Sequence, residues 1–251
     1  MQIISDNVYL QKRYTIMKVE IWSDVMCPFC YIGKRKFENA LSQFPEKEHV
    51  EIIWKSFQLA PDMVTQPDKT IHQSLADHKG MSLEQAKGMN EHVANLARQV
   101  GLEYDFDKAI PANSFRAHQL SHIAQQQDLQ DEAEEALFKA YFTDGKNIDD
   151  IETLVQLGQN IGIDAAETRK ALESNLYADA VRQDCNEALQ IGVNGVPFFI
   201  FDRKLAVSGA QDSQAFLATL ARGFSEWRAQ NPEPKPDIIN GQSCSIEGEC
   251  K

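Results

Sequence analysis

Two cysteines with two residues between them, Cys27-Pro28-Phe29-Cys30, stand where a β-rich run gives way to a helical pattern. No other feature constrains the chain as tightly. Upstream, Lys18 to Ser23 (KVEIWS), opened by Met17, is short, apolar and rich in β-formers, so a strand is predicted. Downstream, Phe37, Ala40, Leu41 and Phe44 recur at helical spacing, and the same stripe carried back passes through Gly33 and Cys30. Pro28 suits a first helical turn, where its missing N–H costs nothing. A helix N-terminus presents free N–H groups and the positive end of the helix dipole, so a thiolate at Cys27 is stabilised there. Cys30 lies one turn further, on the stripe that faces the core. The expected division is Cys27 exposed and nucleophilic, Cys30 sheltered and resolving. Residues i and i+3 of a helix meet the roughly 4.4–6.8 Å Cα separation that a disulfide needs.

A CPxC turn also serves as half of a zinc site. Zinc needs four ligands, usually with a second CxxC or CxxH pair. None is present: Cys244 and Cys250 have five residues between them, and Cys185 stands alone. No metal is therefore expected, and no cofactor beyond the cysteine pair itself. Five cysteines in 251 residues are too few for a disulfide scaffold, and a chain of this length buries a core without one. Residues 1–16 lack the apolar core behind a positive charge that marks an export signal, which leads to the expectation of a cytoplasmic, reducing location. That stretch is expected to be a loose extension or an upstream misreading of the start. In such a compartment paired cysteines are more often catalytic or metal-binding than structural. The net charge of −12 argues against nucleic acid and against an anionic membrane surface. The longest strongly apolar run, Val196 to Phe201, is far too short to span a bilayer.

Val50 to Leu59 (VEIIWKSFQL) reads as a second strand, and Pro61 and Pro67 mark a junction after it. From about residue 69 to 191 only helical patterns follow, about six helices without internal repeat. Ser82 and Gln85 form a capping box for a helix reaching Gly101. Asn113 is a candidate cap for a helix carrying Ala117, Leu120 and Ala124. Ala133, Ala136, Leu137, Ala140 and Tyr141 mark another helix, Ile151, Leu154, Val155 and Ile161 a fourth, and Leu176 to Ile191 a further one. Strand signals return at Pro197 to Phe201 and Lys204 to Ser208, with Asp202-Arg203 as a tight hairpin turn. Asp212 is placed to cap a last helix with Phe216, Leu217, Leu220, Phe224 and Trp227 on one face. Beyond it come Pro232, Pro234 and Pro236, a stiff linker, and a polar end. The expected organisation is an α/β unit from 17–60 and 192–231, interrupted by an all-helical insertion over 61–191. An extension at 1–16 and a flexible cysteine-containing tail at 232–251 flank it.

The second signal is Gly192-Val193-Asn194-Gly195-Val196-Pro197. A proline opening a buried strand is unusual. One solution is a cis Val196–Pro197 bond that leaves the Val196 backbone beside Cys27, free to pair with an extended substrate. The plainer alternative is an ordinary turn proline.

Taken together, the strand, the CPFC at a helix start and the GVNGVPFF segment before a ββα ending resemble the thioredoxin fold. With the helical insertion, the chain resembles the DsbA family of thiol–disulfide oxidoreductases. Ser23 to Tyr31 (SDVMCPFCY), the helix from Asn113 to Ala124 and the tail GQSCSIEGEC are similar to its FrnE-like branch. The resemblance runs from about Met17 to the C-terminus. It implies that Cys27 forms mixed disulfides, that Cys30 resolves them and that Pro197 is cis. The partners it implies are protein or small-molecule thiols and disulfides. Periplasmic members carry a His between the cysteines where this chain has Phe29. The missing imidazole implies a less stabilised Cys27 thiolate and a less oxidising disulfide.

Three further sets of residues have plain readings. Cys185 falls in register with Val181, Ala188 and Leu189 and is expected to be a core thiol. His118 and His122, at i and i+4, lack an obvious third ligand and are expected to be structural, although His118 and Asn113 are placed to face a cleft under the insertion. Asp131, Glu132, Glu134 and Glu135 are expected to be a solvated helix start.

A rival function on the same fold is a glutathione-dependent isomerase, resembling 2-hydroxychromene-2-carboxylate isomerase, or a kappa-type glutathione transferase, with glutathione as co-substrate. Those enzymes put a hydroxyl where this chain has Cys27, so two thiols favour redox exchange. A non-catalytic alternative is a zinc-holding or chaperone-like module. Cys244 and Cys250 form a candidate second redox pair. The ten residues from Pro232 to Gly241 reach roughly 30 Å when extended, enough to bring them back to Cys27 and Cys30. Truncation after Asn231 is then expected to change disulfide reductase and oxidase rates. Unchanged rates, with both tail thiols reduced under an oxidant that closes Cys27–Cys30, would leave the tail without a redox role.

Overall fold

A computed structural model describes residues 16–232. Nearly all of the expected N-terminal extension and of the tail, including Cys244 and Cys250, therefore lies outside the described residues. The sheet has four strands in the order β2-β1-β3-β4. The central strand β1 (Met17–Ser23) is buried on both faces apart from Lys18, which explains its near-continuous apolar sequence. It runs parallel to β2 (Val50–Ser56), pairing Met17 with Val50 through to Ser23 with Ser56. Strand β3 (Phe198–Phe201) lies antiparallel on its other side, and β4 (Leu205–Ser208) closes the edge. Asp202 and Arg203 both take left-handed backbone, φ 47° and 55°, the geometry of a two-residue hairpin turn whose twist matches the strands. The second strand is shorter than the predicted run to Leu59. Its partner ends at Ser23, so past the Phe57 N–H the chain has no ladder left to join.

Helix α1 (Pro28–Gln43) follows β1, and the last helix, α9 (Ser213–Gln230), packs against it on the same face of the sheet. Asp212 caps α9 as expected, accepting the Ala215 N–H at 2.8 Å. Phe37 of α1 meets Phe199, Phe201 and Phe216 at ring-centroid distances of 5.5, 6.2 and 5.6 Å, so one aromatic ring ties both helices to the sheet.

Between β2 and β3 the described residues form seven helices rather than about six. These are α2 (Ile71–Lys79), α3 (Leu83–Arg98), α4 (Phe115–Gln125), α5 (Gln130–Phe142), α6 (Ile151–Asn160), α7 (Ala165–Glu173) and α8 (Ala178–Gln190). The Ser82–Gln85 capping box starts α3 as predicted. Helices α2 and α7 were not anticipated. Each has nine residues and buries only two or three side chains, so neither presents a readable stripe. Their caps were nonetheless written in the sequence: Thr70 and Gln73 form a capping box, and Asp164 accepts the Glu167 N–H. Helix α4 starts at Phe115, after Ser114; Asn113 lies just outside it and accepts the Phe115 N–H at 2.9 Å.

One glycine sets how closely α1 approaches the β3 segment. A Cβ on Gly33 would lie 3.0 Å from Cγ of Pro197 and 3.5 Å from the Phe199 ring. Gly33→Val is expected to destabilise the fold by about 1–3 kcal/mol through overpacking, read as a lower urea midpoint. An unchanged midpoint would mean that the Pro197 loop yields freely.

Candidate active site

Cys27 is the N-cap of α1, with extended backbone (φ −90°, ψ 112°), and Pro28 occupies the first helical position. The turn closes through Cys27 N–H to Asp24 O at 2.9 Å and Cys30 N–H to Cys27 O at 3.0 Å. Both thiols are free. Cys27 is 5% exposed and Cys30 fully buried, so the thiol expected to be exposed is nearly buried, while Phe29 beside it stands out at 41%. The order of exposure is still the expected one. The Val196–Pro197 peptide bond is cis, and the Cys27 thiol donates to Val196 O at 3.6 Å. The Val196 N–H has no partner among the described residues. The structure thus brings Cys27, Cys30, Val196 and the Pro197 loop together.

Cys30 lies where a thiolate is costly. Burial pushes the Cys30 thiol well up, and its hydrogen bond with Cys27 and the Cys27 charge push it further. Ser23 and the Asp24 backbone pull the other way, so the Cys30 thiolate has donors to hold it once formed. Tyr104, from the loop after α3, donates to Pro28 O at 2.7 Å. Burial, with Tyr31 beside it, raises the Tyr104 phenol, which keeps its proton and remains a donor. Tyr104 also stacks on Phe142 at 4.6 Å, so an aromatic layer of the helical block supports the Cys27–Cys30 turn.

Behind the turn lies a buried polar cluster. Asp24 accepts the Leu59 N–H at 2.7 Å and the Met26 N–H at 3.3 Å, and His118 of α4 faces it at 3.5 Å. Burial pulls the His118 imidazolium down, but Asp24, with Glu134 behind it, overrides this and raises its pKa. Glu134 is itself buried, and burial raises its carboxyl. His122 points elsewhere, to Ser56 Oγ at 3.1 Å and Asp184 at 3.2 Å. The two histidines are thus taken by separate carboxylates. Among the described residues no group of three or more Cys, His, Asp and Glu side chains is arranged to hold a metal.

Several expectations need correction. Of the acidic start of α5, Glu132 is exposed as expected and Asp131 partly so, but Glu134 is buried, and Asp131 and Glu135 are both paired. Asp131 binds Lys34 Nζ and Trp54 Nε1, each at 3.0 Å, and Glu135 takes Tyr31 OH at 2.6 Å and Arg35. They face the cationic stretch of α1, which a pattern of charges within one helix does not reveal. Asn113 does not open into a cleft as a free group: its side-chain amide donates to Pro61 O at 3.0 Å and Met63 O at 2.8 Å and pins that loop. Cys185 is only half-buried, because the turn of α8 that carries it also exposes Leu189; its thiol donates to Ser56 O at 3.6 Å, and burial pushes it up to about 11. Asp24, Tyr104 and Asp184 were not singled out from sequence. For Asp24 the signal was its place three residues before Cys27; Tyr104 and Asp184 carry none.

Over residues 18–221 the sequence matches the family described as DSBA-like thioredoxin domain. The fold is similar to the crystal structure of a probable DsbA oxidoreductase from Streptomyces coelicolor, with 35% identity, 94% of this chain and 98% of that chain covered, and a TM-score of 0.77. The uncharacterized protein YwbO of Bacillus subtilis (strain 168) is 28% identical over 200 residues, 79% of this chain and 92% of that one. A cytosolic disulfide reductase, DsbM from Pseudomonas aeruginosa, solved with GSH, shares the fold at 17% identity and TM-score 0.57, over 85% of this chain and 98% of that one.

His118 provides a test of the buried cluster. It binds its proton more tightly folded than unfolded, so its contribution to stability is fully present below the ordinary value of 6.5 and is lost as pH rises through the raised folded value. The stability difference between the native chain and His118→Gln should therefore be largest at acidic pH and shrink above pH 6.5. Urea unfolding of both proteins across that range checks it. A constant difference would break the His118–Asp24 assignment.

Proposed function

The chain belongs to the DSBA-like thioredoxin domain family, and on that footing we propose that it is a dithiol–disulfide oxidoreductase working through Cys27 and Cys30. The observation that carries the reading is the inequality of the two thiols. Cys27 caps a helix beside the open main chain of Val196, while Cys30 is buried and holds its proton. In reduction of a substrate disulfide, the Cys27 thiolate attacks one sulfur, a Cys27–substrate disulfide forms, and the other substrate sulfur leaves as a thiolate and takes up a proton. Cys30 then gives up its proton and attacks the Cys27 sulfur. The Cys27–Cys30 disulfide forms and the second substrate thiol is released. Two electrons pass from the protein to the substrate, and running the same steps backwards oxidises a substrate dithiol.

The substrate main chain lies against Val196, whose N–H has no partner among the described residues and whose C=O is held only by the Cys27 thiol. Val196 O accepts from the Cys27 thiol before attack and is freed when that sulfur becomes bonded to substrate. Pro197 cannot donate, which leaves Val196 as the residue that pairs. The reading places the protein in the cytoplasm, like the cytosolic disulfide reductase of Pseudomonas aeruginosa that shares its fold.

Alkylation of the reduced protein near neutral pH should label Cys27 much faster than Cys30. Cys30→Ala should abolish turnover and accumulate a mixed disulfide, and Cys27→Ser should abolish both. Equal labelling rates would overturn the roles. Turnover that survives Cys30→Ala would favour a glutathione-dependent activity, which has no need of a second thiol.

A further inference from the structure

The Cys27 thiolate that begins an exchange needs hydrogen-bond donors, and the structure leaves it few. In the reduced chain the Cys27 thiol donates to Val196 O at 3.6 Å. Once the proton is gone, that carbonyl oxygen faces a negative sulfur and gives it nothing. The sulfur stands at the N-cap of α1, where a side chain accepts from the second or third N–H of the helix. Pro28, in the first position, has no N–H. The Cys30 N–H, in the third, is turned to Cys27 O at 3.0 Å. The Phe29 N–H, in the second, has no partner among the described residues, and the protonated Cys27 side chain makes no cap bond. The Phe29 side chain brings no donor of its own. Two donors therefore remain for the thiolate: the Cys30 thiol, which is hydrogen-bonded to Cys27, and the Phe29 N–H.

The Phe29 N–H and the Pro28 C=O are the two ends of one planar peptide group. That carbonyl is the one Tyr104 holds, at 2.7 Å. The bond is more than the helix needs. Pro28 opens α1, so its C=O is already in the helical ladder, and Tyr104 takes the second lone pair. The hydroxyl is aimed by the residues on either side of it. Thr143 Oγ1 donates to Glu103 O and the Asp105 N–H to Phe142 O, each at 2.7 Å, so the loop is fastened to the end of α5 directly before and after Tyr104. The ring stacks on Phe142 at 4.6 Å and on Tyr31 at 6.1 Å, and Phe106 meets it edge-on at 5.6 Å. Burial keeps the phenol protonated, so it meets the turn as a neutral donor and adds no negative charge beside Cys27.

We propose that Tyr104 is a positioning residue of the exchange reaction, acting through the Pro28–Phe29 peptide to fix and polarise the Phe29 N–H as a donor to the Cys27 thiolate. The proposal rests on the disulfide-exchange reading and adds a residue of the helical insertion to its machinery. A donor on a carbonyl draws electron density from the amide and makes the N–H of the same group a stronger donor. A sulfur in the Cys27–Cys30 disulfide carries no charge and gains little from that N–H. The Tyr104 bond therefore favours the dithiol with Cys27 ionised over the disulfide, and the pair is more oxidising than the turn alone would make it.

The test uses the full chain and two changes at one position. Tyr104→Phe removes the hydroxyl and keeps the ring. Fluorotyrosine at position 104 keeps the hydroxyl and strengthens it as a donor. The first readout is the pH profile of Cys27 alkylation by iodoacetamide. Tyr104→Phe should move it to higher pH, the thiolate-forming equilibrium falling about two- to fivefold, the effect of weakening one bond to a charged sulfur by up to roughly a third. Fluorotyrosine should move it to lower pH. The second readout is the equilibrium in which the protein disulfide and two glutathione molecules give the protein dithiol and glutathione disulfide, taken above the midpoint of that profile. Tyr104→Phe should shift it toward the protein disulfide by about the same factor, and fluorotyrosine toward the dithiol. A tyrosine that only fastens the insertion would lower the urea midpoint of Tyr104→Phe and leave both readouts in place. Profiles and equilibria equal to those of the native chain, or both variants moving the same way, overturn the proposal. If Tyr104→Phe does not fold, the fluorotyrosine chain decides: no shift to lower pH and toward the dithiol overturns it. Those outcomes leave the exchange reading standing while the native disulfide equilibrates with glutathione. A native disulfide that fails to do so overturns both.

Discussion

The site depends on a carboxylate that water does not reach. Asp24 has no exposed surface, yet its two oxygens serve three parts of the chain: the Met26 N–H of the redox turn, the Leu59 N–H where the chain leaves β2, and His118 of the inserted helix α4. A carboxylate left alone in such a place costs several kcal/mol, so the three parts are stable only when gathered around it. The same residue offers its main-chain oxygen to the Cys27 N–H and so fixes the cap of α1. The helical block is therefore no detachable cover. It supplies the His118 ring that faces Asp24, and Asp24 shapes the turn that carries both thiols.

Two other buried charges repeat the device along the seam between sheet and helices. Lys34 of α1 is buried under Glu38, Asp131 and Glu135, the last two from α5. Asp184 of α8 takes Lys55 Nζ at 2.6 Å, the Ser56 N–H at 3.0 Å and His122, and Trp22 Nε1 reaches the Asp184 main-chain oxygen at 3.0 Å. Burial alone would raise the Asp184 carboxyl, but His122 and Lys55 outweigh it and hold it low. Each tie joins an inserted helix to β1, β2 or α1, and each uses up cations in an acidic protein.

What could be read from sequence follows the range of the interactions. Local signals were legible: the strand before Cys27, Pro28 in the first helical turn, the capping box at Ser82, the turn at Asp202-Arg203 and the cap at Asp212 all act within a few residues. The fold class followed from the resemblance carried by CPFC, GVPFF and the ββα ending. Short helices with two or three buried side chains escaped, because α2 and α7 are held by caps and by neighbours rather than by a stripe. The acidic start of α5 was misjudged for a related reason. Asp131 and Glu135 find their cations about a hundred residues upstream, at Lys34 and Arg35, and no periodicity within the helix reports a partner at that distance. Tyr104 was missed on the same ground, since its hydroxyl meets Pro28 only after the whole block has folded.

The same carboxylate fixes what surrounds Cys27. The cysteine is only 5% exposed, its sulfur lies 3.6 Å from Val196 O, and its chain neighbours Met26 and Pro28 line a hollow together with Leu59 and Met63. Asp24 is hydrogen-bonded to both Met26 and Leu59, so the turn that carries both thiols and the chain that leaves β2 are held in register by one buried side chain, and neither can shift without leaving it unsatisfied.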